Sequence, residues 1–427
     1  MKRIFLILAL AATAGFIAAQ DAEPSEALLT QMSRLEADAI DIRGLALDVP
    51  VKRVFPSRDD VVTFVAGQLD DLETQQYYRD AGLVYEAFDL LEPGTDIVAV
   101  LQELLVAQIG GYYDPETKQM NTLLITGDEL TDRLPLLEQI VYVHEFTHAL
   151  QDANFDMQAF FGGEDDLAFS TQYPDEAQAR LALVEGDATE VMTAYTLMLS
   201  TERPAEILQE MDALIGLVST LEIPPGTPKI LEQELTFPYL QGQVFVQRLV
   251  AEGGWELVNE AFRNPPVSTE HIINPSKYLS GDMPHKVEVM DVSMALGTGW
   301  EERFSRTAGE FFVRRYLETQ LDAFSVARAA GGWGGDTYRF YVNAESHAAA
   351  WVWKLSWDST ADATQFYEAM LRFMAQRYPT AVPEFSLCWS GSADTMCMAQ
   401  PTPDTVVITK APLREQASSM RDAAANN

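Results

Sequence analysis

Basic residues are scarce in this chain of 427 residues: 29 Lys and Arg stand against 64 Asp and Glu, for a formal net charge of -35. Nucleic-acid binding needs clustered Lys and Arg to neutralise phosphate, so that class of partner is excluded, and anionic lipid headgroups would be repelled as well. Cysteine is scarcer still, with two in all. A cysteine-based metal site would need more ligands than that. Beyond the first twenty residues no uncharged run is long enough to span a bilayer, and no internal repeat is visible. What is present is apolar material, 47% hydrophobic and 10% aromatic. That is enough for a sizeable packed core and excludes wholesale disorder despite the charge. At ~150 residues per domain, two or three domains are expected.

The N-terminus reads as an address. Lys2 and Arg3 precede an uncharged run from Ile4 to Ala19. Ala18 and Ala19 supply small residues for cleavage, and Asp21 and Glu23 open an acidic chain. This is the layout of a secretory signal peptide over residues 1–19, with an uncleaved membrane anchor as the alternative. No cysteine lies near the cleavage region, which argues against a lipid anchor. An exported protein is expected, in the periplasm, outside the cell or on its surface. In that setting Cys388 and Cys397 should form one disulfide. It would close a hairpin of strands at Glu384–Trp389 and Thr395–Ala399, a local staple contributing ~2–3 kcal/mol.

The chain after this segment is mostly helical. Apolar residues recur at three- and four-residue spacing over Ser25–Gly44, Asp59–Ala81, Asp96–Gln108, Thr131–Asp152, Asp175–Ser200, Pro204–Leu221 and Gln241–Arg263. Gly111–Ile125 differs, with short apolar-aromatic runs about an Asp-Pro-Glu-Thr turn that predict a hairpin. After a proline-containing stretch near Pro265–Pro284 the pattern becomes mixed. Strands are expected at His285–Val292, Tyr338–Val342, Ala350–Ser356 and Thr405–Lys410, and helices at Glu310–Leu321 and Ala361–Tyr378. From about Arg414 the chain is polar and Ala-rich, and a frayed tail over residues 416–427 is expected. The aromatic-rich GGWGGDTYRFY and WVWKLSWDS segments read as a Trp-rich sheet core with a Gly turn, in preference to a ligand platform.

One motif points to chemistry. VYVHEFTHALQD contains His144, Glu145 and His148 as His-Glu-x-x-His. Residues four apart share one helix face, so both imidazoles can reach one metal ion while Glu145 projects beside it. Zinc lowers the pKa of a bound water to about 7, and a carboxylate can take its proton during attack on a carbonyl. Leu137, Ile140 and Val141 share the histidine stripe, which places both rings toward the core. Two buried imidazoles without partners would be costly; a shared metal answers that cost. A catalytic zinc usually takes a third protein ligand. Glu185 is the best candidate, lying inside the apolar stripe Leu181, Val184, Ala188, Val191, Met192 and Tyr195, although it could instead pair with an Arg or a helix end. Gly186 and Ala188 are small and would let a neighbouring helix approach, so this helix is expected to pack beside the His-Glu-x-x-His helix with Glu185 aimed at the metal.

HEFTHALQD followed by VEGDAT resembles the zincin metallopeptidases, in the gluzincin arrangement of two His and a Glu on a following helix. The resemblance implies Zn2+ as cofactor, His144, His148 and Glu185 as metal ligands, and Glu145 as general base. The metzincin pattern is absent, since Gln151 and Asn154 stand where that group needs Gly and His. The chain also departs from thermolysin-like enzymes: the gap from His148 to Glu185 is longer, and the Asn-Glu-x-x-Ser-Asp context is missing. GYYDPETKQM, GQVFVQRLVAEGGW, PPVSTEHIINPSKYL and GGWGGDTYRFY resemble a group of exported bacterial proteins described as predicted metallopeptidases. Asp187 or Asp152 could orient a ligand His. His271, Tyr239 and Tyr278 are candidate oxyanion stabilisers, and the hairpin at Gly111–Ile125 could offer an edge along which a peptide adds. His285 and His347 receive no role.

The expected architecture is α+β and mostly helical: a zincin-like domain over residues 20–282, then a C-terminal mixed α+β region over 283–415. The expected activity is hydrolysis of a peptide or protein substrate. Two other classes stay open. One is an exported non-catalytic binding or scaffold protein with a structural or vestigial zinc site. The other is a zinc hydrolase acting on a non-peptide amide.

Overall fold

The computed structural model describes residues 23–125, 129–163, 166–210, 223–381 and 387–426. The signal-peptide region lies outside them, as do Glu164 and Asp165 and parts of the expected segments Pro204–Leu221 and Glu384–Trp389. The fold is α+β and mostly helical, with two sheets. Helices of eight residues or more are numbered here in chain order. None among the described residues is long and apolar enough to cross a membrane.

The chain divides into two compact units. The first comprises the described residues up to Arg79 with Asp96–Thr171 and Ala179–Pro266. The second comprises Asp80–Thr95, Gln172–Gln178 and the described residues from Val267 onward. The division falls earlier than Asp282, and two upstream segments join the second unit.

The first unit is built on α1 (Glu26–Arg43), α2 (Arg58–Leu69), the first half of α3 (Leu72–Ala87), α4 (Ile97–Gln108), α5 (Leu136–Phe155), all but the first turn of α6 (Pro174–Glu202) and α7 (Lys229–Arg263). The expected helix Asp59–Ala81 is two, α2 and α3. The core of α1 is read directly from its spacing: Leu28, Met32, Leu35 and Ala39 pack on Ile140, Val143, Phe146 and Leu150 of α5. Ser25 caps the start of α1, accepting from the Leu28 N–H, and Gly44 in the left-handed region ends it, the two preferred terminators. A small sheet has the order β1 (Lys52–Val54), β3 (Gln119–Thr122), β2 (Gly111–Asp114), with β2 and β3 forming the predicted hairpin.

The second unit holds a six-stranded antiparallel sheet in the order β4 (Trp300–Arg306), β5 (Trp333–Asn343), β6 (Ala349–Trp357), β9 (Thr405–Ala411), β8 (Thr395–Thr402), β7 (Cys388–Ser390). Successive side chains alternate between faces. Trp351, Trp353, Leu355, Val406 and Ile408 join one core with Phe366, Met370 and Phe373 of α10 (Thr360–Arg377), and with residues of α8 (Gly309–Leu317) and α9 (Ala323–Ala330). Ala350, Val352, Val407 and Ala411 join the other with Ala417 and Met420. The Trp-rich segments are therefore sheet core. Cys388 and Cys397 are directly opposed across β7 and β8 and form the disulfide.

Two expectations fail in this unit. The expected frayed tail is a helix, α11 (Arg414–Ala425), burying Ala417, Met420 and Ala424. Their three- and four-residue spacing was hidden by alanine, which reads as neutral in composition but packs closely against β8 and β9. The strand expected at His285–Val292 is absent, and the segment joins no sheet. Its carbonyls are taken by side chains of β5: Thr337 Oγ1 donates to Val287 O and Arg339 Nε to Val289 O, both at 2.7 Å.

Candidate metal centre

Helix α5 is buried from Leu136 to Asp152, so its polar side chains lose water and need partners. Most find one within reach. Glu138 accepts from the Ile125 N–H at 3.0 Å, Gln139 donates to Leu134 O at 2.7 Å and Thr147 to Val143 O at 2.8 Å. Asp152 accepts from Tyr113 Oη at 2.8 Å and from Lys118 Nζ. Asp152 thus ties the β2–β3 hairpin to α5 and does not orient a ligand His. Tyr142 donates through its hydroxyl to Glu36 at 2.6 Å, which leaves His144, Glu145, His148 and Gln151 on the buried stretch.

His144 and His148 turn their Nε2 atoms toward each other at 3.2 Å. Glu185 Oε2 lies 3.3 Å from His144 Nε2 and 3.7 Å from His148 Nε2. All three residues are 2% exposed. Donors on a tetrahedron with ~2.0–2.1 Å bonds sit ~3.3–3.4 Å apart, close to these separations. His144 Nδ1, Glu185 Oε2 and both oxygens of Glu145 are buried without a hydrogen-bond partner. Two imidazole lone pairs and a carboxylate converging at such distances repel unless a cation or protons lie between them. The residues present therefore fit a metal ion, and this group could hold one.

Burial sets the protonation states. It pushes His144 down to about 3 and His148 down to about 4, the latter against the pull of the Glu185 carboxylate. Both rings are thus neutral and have a lone pair to offer. Glu185 is pushed up to about 7 by burial, opposed by His148 and by a hydrogen bond from Tyr239. Glu145 is raised well above the usual carboxylate range, first by burial and then by the Glu185 charge, offset only partly by the nearby Tyr113 N–H, which falls short of hydrogen-bond geometry.

The small residues beside Glu185 serve a neighbour other than the expected one. Consecutive helix positions are ~100° apart, so Glu185 facing α5 leaves Gly186 facing elsewhere. A Cβ on Gly186 would lie 2.2 Å from the Gly242 carbonyl of α7, and one on Gly242 would lie 2.0 Å from Ala182 O. This backbone crossing seats α7 against α6 and brings Tyr239, one turn before Gly242, to the site. There its ring lies nearly parallel to that of His144 with centroids 6.0 Å apart, and its hydroxyl reaches Glu185. Gly186→Ala should destabilise the protein by about 1–3 kcal/mol, since backbone cannot rotate away from the added methyl. A urea unfolding midpoint equal to wild type would show that the crossing is not tight.

Of the candidate oxyanion groups, only Tyr239 joins the triad within the first unit. His271 and Tyr278 belong to the second unit, where His271 Nε2 donates to Asp282 O at 2.7 Å and the two rings meet edge to face. All four residues of β2 are buried, so this hairpin edge is not open for a peptide to join. Asp187 acts at one remove: it bonds Gln151, and Gln151 bonds His148 at Nδ1. Gln151 was legible as a site residue, being three positions after His148 on the same helix face.

These groups form a buried cluster of two histidines and one carboxylate that could hold a metal ion, with a second carboxylate beside it. A family model described as a domain of unknown function (DUF8575) matches residues 298–421, a span that excludes the triad. No curated protein matches. Among solved structures, a chain from Chloroflexus aurantiacus, described provisionally as a hydrolase with a novel fold, is 21% identical. The match covers 61% of this chain and 92% of that one, with a TM-score of 0.36. At that identity and score the likeness assigns neither fold nor activity.

Proposed function

We propose that the protein is an exported zinc metallopeptidase of zincin type, with His144, His148 and Glu185 as ligands and Glu145 as general base. The observation that supports this best is the convergence of three buried donor groups beside a fourth, Glu145, whose oxygens have no partner. A purely structural metal has no use for that extra carboxylate, which is costly to bury alone. A divalent ion held there would supply Lewis acidity for a substrate carbonyl and an activated water. Glu145 accepts the proton that the attacking water gives up and returns it to the leaving amine nitrogen. Its place next to His144 in sequence, outside the converging ligand atoms, suits both halves of that task. Tyr239 holds the Glu185 carboxylate by its hydroxyl and covers one face of His144. Export rests on the reading of residues 1–19 and is consistent with the Cys388–Cys397 disulfide.

The test is the zinc content of the mature chain, prepared without chelator or polyhistidine tag, followed by a fluorogenic peptide library. About one zinc per chain, with peptide cleavage that a chelator stops, is the expected result. Failure to bind zinc when it is supplied would overturn the reading in favour of a binding or scaffold protein. Bound zinc with no peptide cleavage would point to the non-peptide amide class.

A further inference from the structure

A hydrogen-bond chain that begins far from the triad ends on it. Arg43 is the last residue of α1, and its side chain is fully buried, over the ring of Trp255 at 4.8 Å. Its Nη1 donates to Asn259 Oδ1 at 2.9 Å, and its Nε donates to Asp187 Oδ1 at 2.6 Å. Asp187 Oδ2 accepts from Gln151 Nε2 at 2.9 Å, and the same amide nitrogen donates to Val184 O at 2.9 Å. Gln151 Oε1 then meets His148 Nδ1 at 2.8 Å.

Every link in this chain has a single polarity. A guanidinium only donates and a carboxylate only accepts. With both its neighbours acceptors, the Gln151 NH2 must face Asp187 and Val184, which leaves its oxygen for the imidazole. An amide oxygen only accepts, so Nδ1 of His148 bears the ring proton. The Nε2 lone pair is then directed at His144 and Glu185.

We propose that Arg43, Asp187 and Gln151 are positioning residues that lock His148 in its Nδ1–H tautomer, so that metal affinity depends on the end of α1. The inference rests on the metal reading above. It adds that the site has a directional support reaching α1, α6 and α7. A buried Arg–Asp pair is by itself a weak source of stability, since desolvation offsets its attraction. Its directionality is what reaches the site.

Asp187→Asn is the sharpest variant. It is nearly isosteric, but its amide turned toward Gln151 would donate instead of accept. Gln151 would then be caught between two demands, its NH2 wanted by Val184 O and its oxygen by the new amide, so the ring proton of His148 is no longer held on Nδ1. Gln151→Met simply removes the acceptor and is the gentler change should the first fail to fold. Both are studied in the full mature chain, with the histidines labelled for long-range proton–nitrogen spectra of the metal-free protein. Zinc affinity is measured by competition with a chelator.

Wild type should show His148 as the Nδ1–H tautomer. Asp187→Asn and Gln151→Met should each show a mixture of the two tautomers. Zinc affinity should fall ~10–100-fold in each, the range for losing an outer partner of a metal-bound His. A folded Gln151→Met that keeps both the wild-type tautomer and a zinc affinity within about twofold of wild type would overturn the inference. If wild type binds no zinc, the metal reading fails, yet the tautomer spectra of the metal-free protein still decide the hydrogen-bond chain.

Discussion

Glu145→Gln should keep the metal and lose the reaction. Peptide hydrolysis by the zinc-loaded variant should drop at least ~10²–10⁴-fold, the usual contribution of a positioned general base, while zinc content stays at the wild-type level. The expectation follows from where Glu145 stands. It is 1% exposed, next to the ligand His144 in sequence, with neither oxygen bonded. It is not among the converging ligand atoms, so an amide of the same shape leaves the ligands alone. The substitution also removes a carboxylate whose ionised form is disfavoured by burial and by the Glu185 charge. The metal-free variant should therefore melt within a few degrees of wild type. Cleavage of the library peptide at an undiminished rate, with metal bound, would remove Glu145 from the mechanism.

The sequence made the short-range part of this site readable and left the long-range part dark. His144 and His148 are one helical turn apart, and Glu185 interrupts an apolar stripe, so helix periodicity alone brings each to a buried face. Periodicity cannot say which helix meets which. Gly186 was read as the contact with α5, whereas it meets Gly242 of α7, a pairing set by the ~100° step between neighbouring residues. Arg43 is 144 positions from Asp187, and nothing in its local sequence separates it from a basic residue placed at a helix C-terminus for the dipole. In the second unit the two failures have separate causes. The spacing that buries Ala417, Met420 and Ala424 is carried largely by alanine, which composition does not mark as core. At His285–Val292 the expected strand does not form, and side chains of β5 take the Val287 and Val289 carbonyls.

Glu185→Ala should abolish tight zinc binding, with a loss exceeding the ~10–100-fold expected of an outer partner, because it deletes one of three converging donors. The pH dependence of binding makes this specific. Burial raises Glu185 from 4.5 to about 7 in the metal-free protein, whereas His144 and His148 are lowered to about 3 and about 4. Between roughly pH 5 and 7 the two rings are already deprotonated and only the carboxyl group must release a proton to a metal. Zinc affinity should fall as pH drops below about 7, by about tenfold per unit for one proton displaced. The folded-state shift has the matching sign for stability. A carboxyl group raised on folding binds more protons in the native state, so its contribution is fully present below the ordinary value and is lost as pH rises through about 7. Glu185 should thus stabilise the metal-free protein less as pH rises from about 4.5 to 7, read as the difference in unfolding free energy between wild type and Glu185→Ala, since the two lowered histidines change stability in the opposite sense over much of that range. The affinity series belongs in the Glu145→Gln background, where the proton of the neighbouring carboxyl group is absent and the slope reports Glu185 alone. A zinc affinity independent of pH in that range, or retained by Glu185→Ala, would take Glu185 out of the ligand set and leave the two histidines without their third partner.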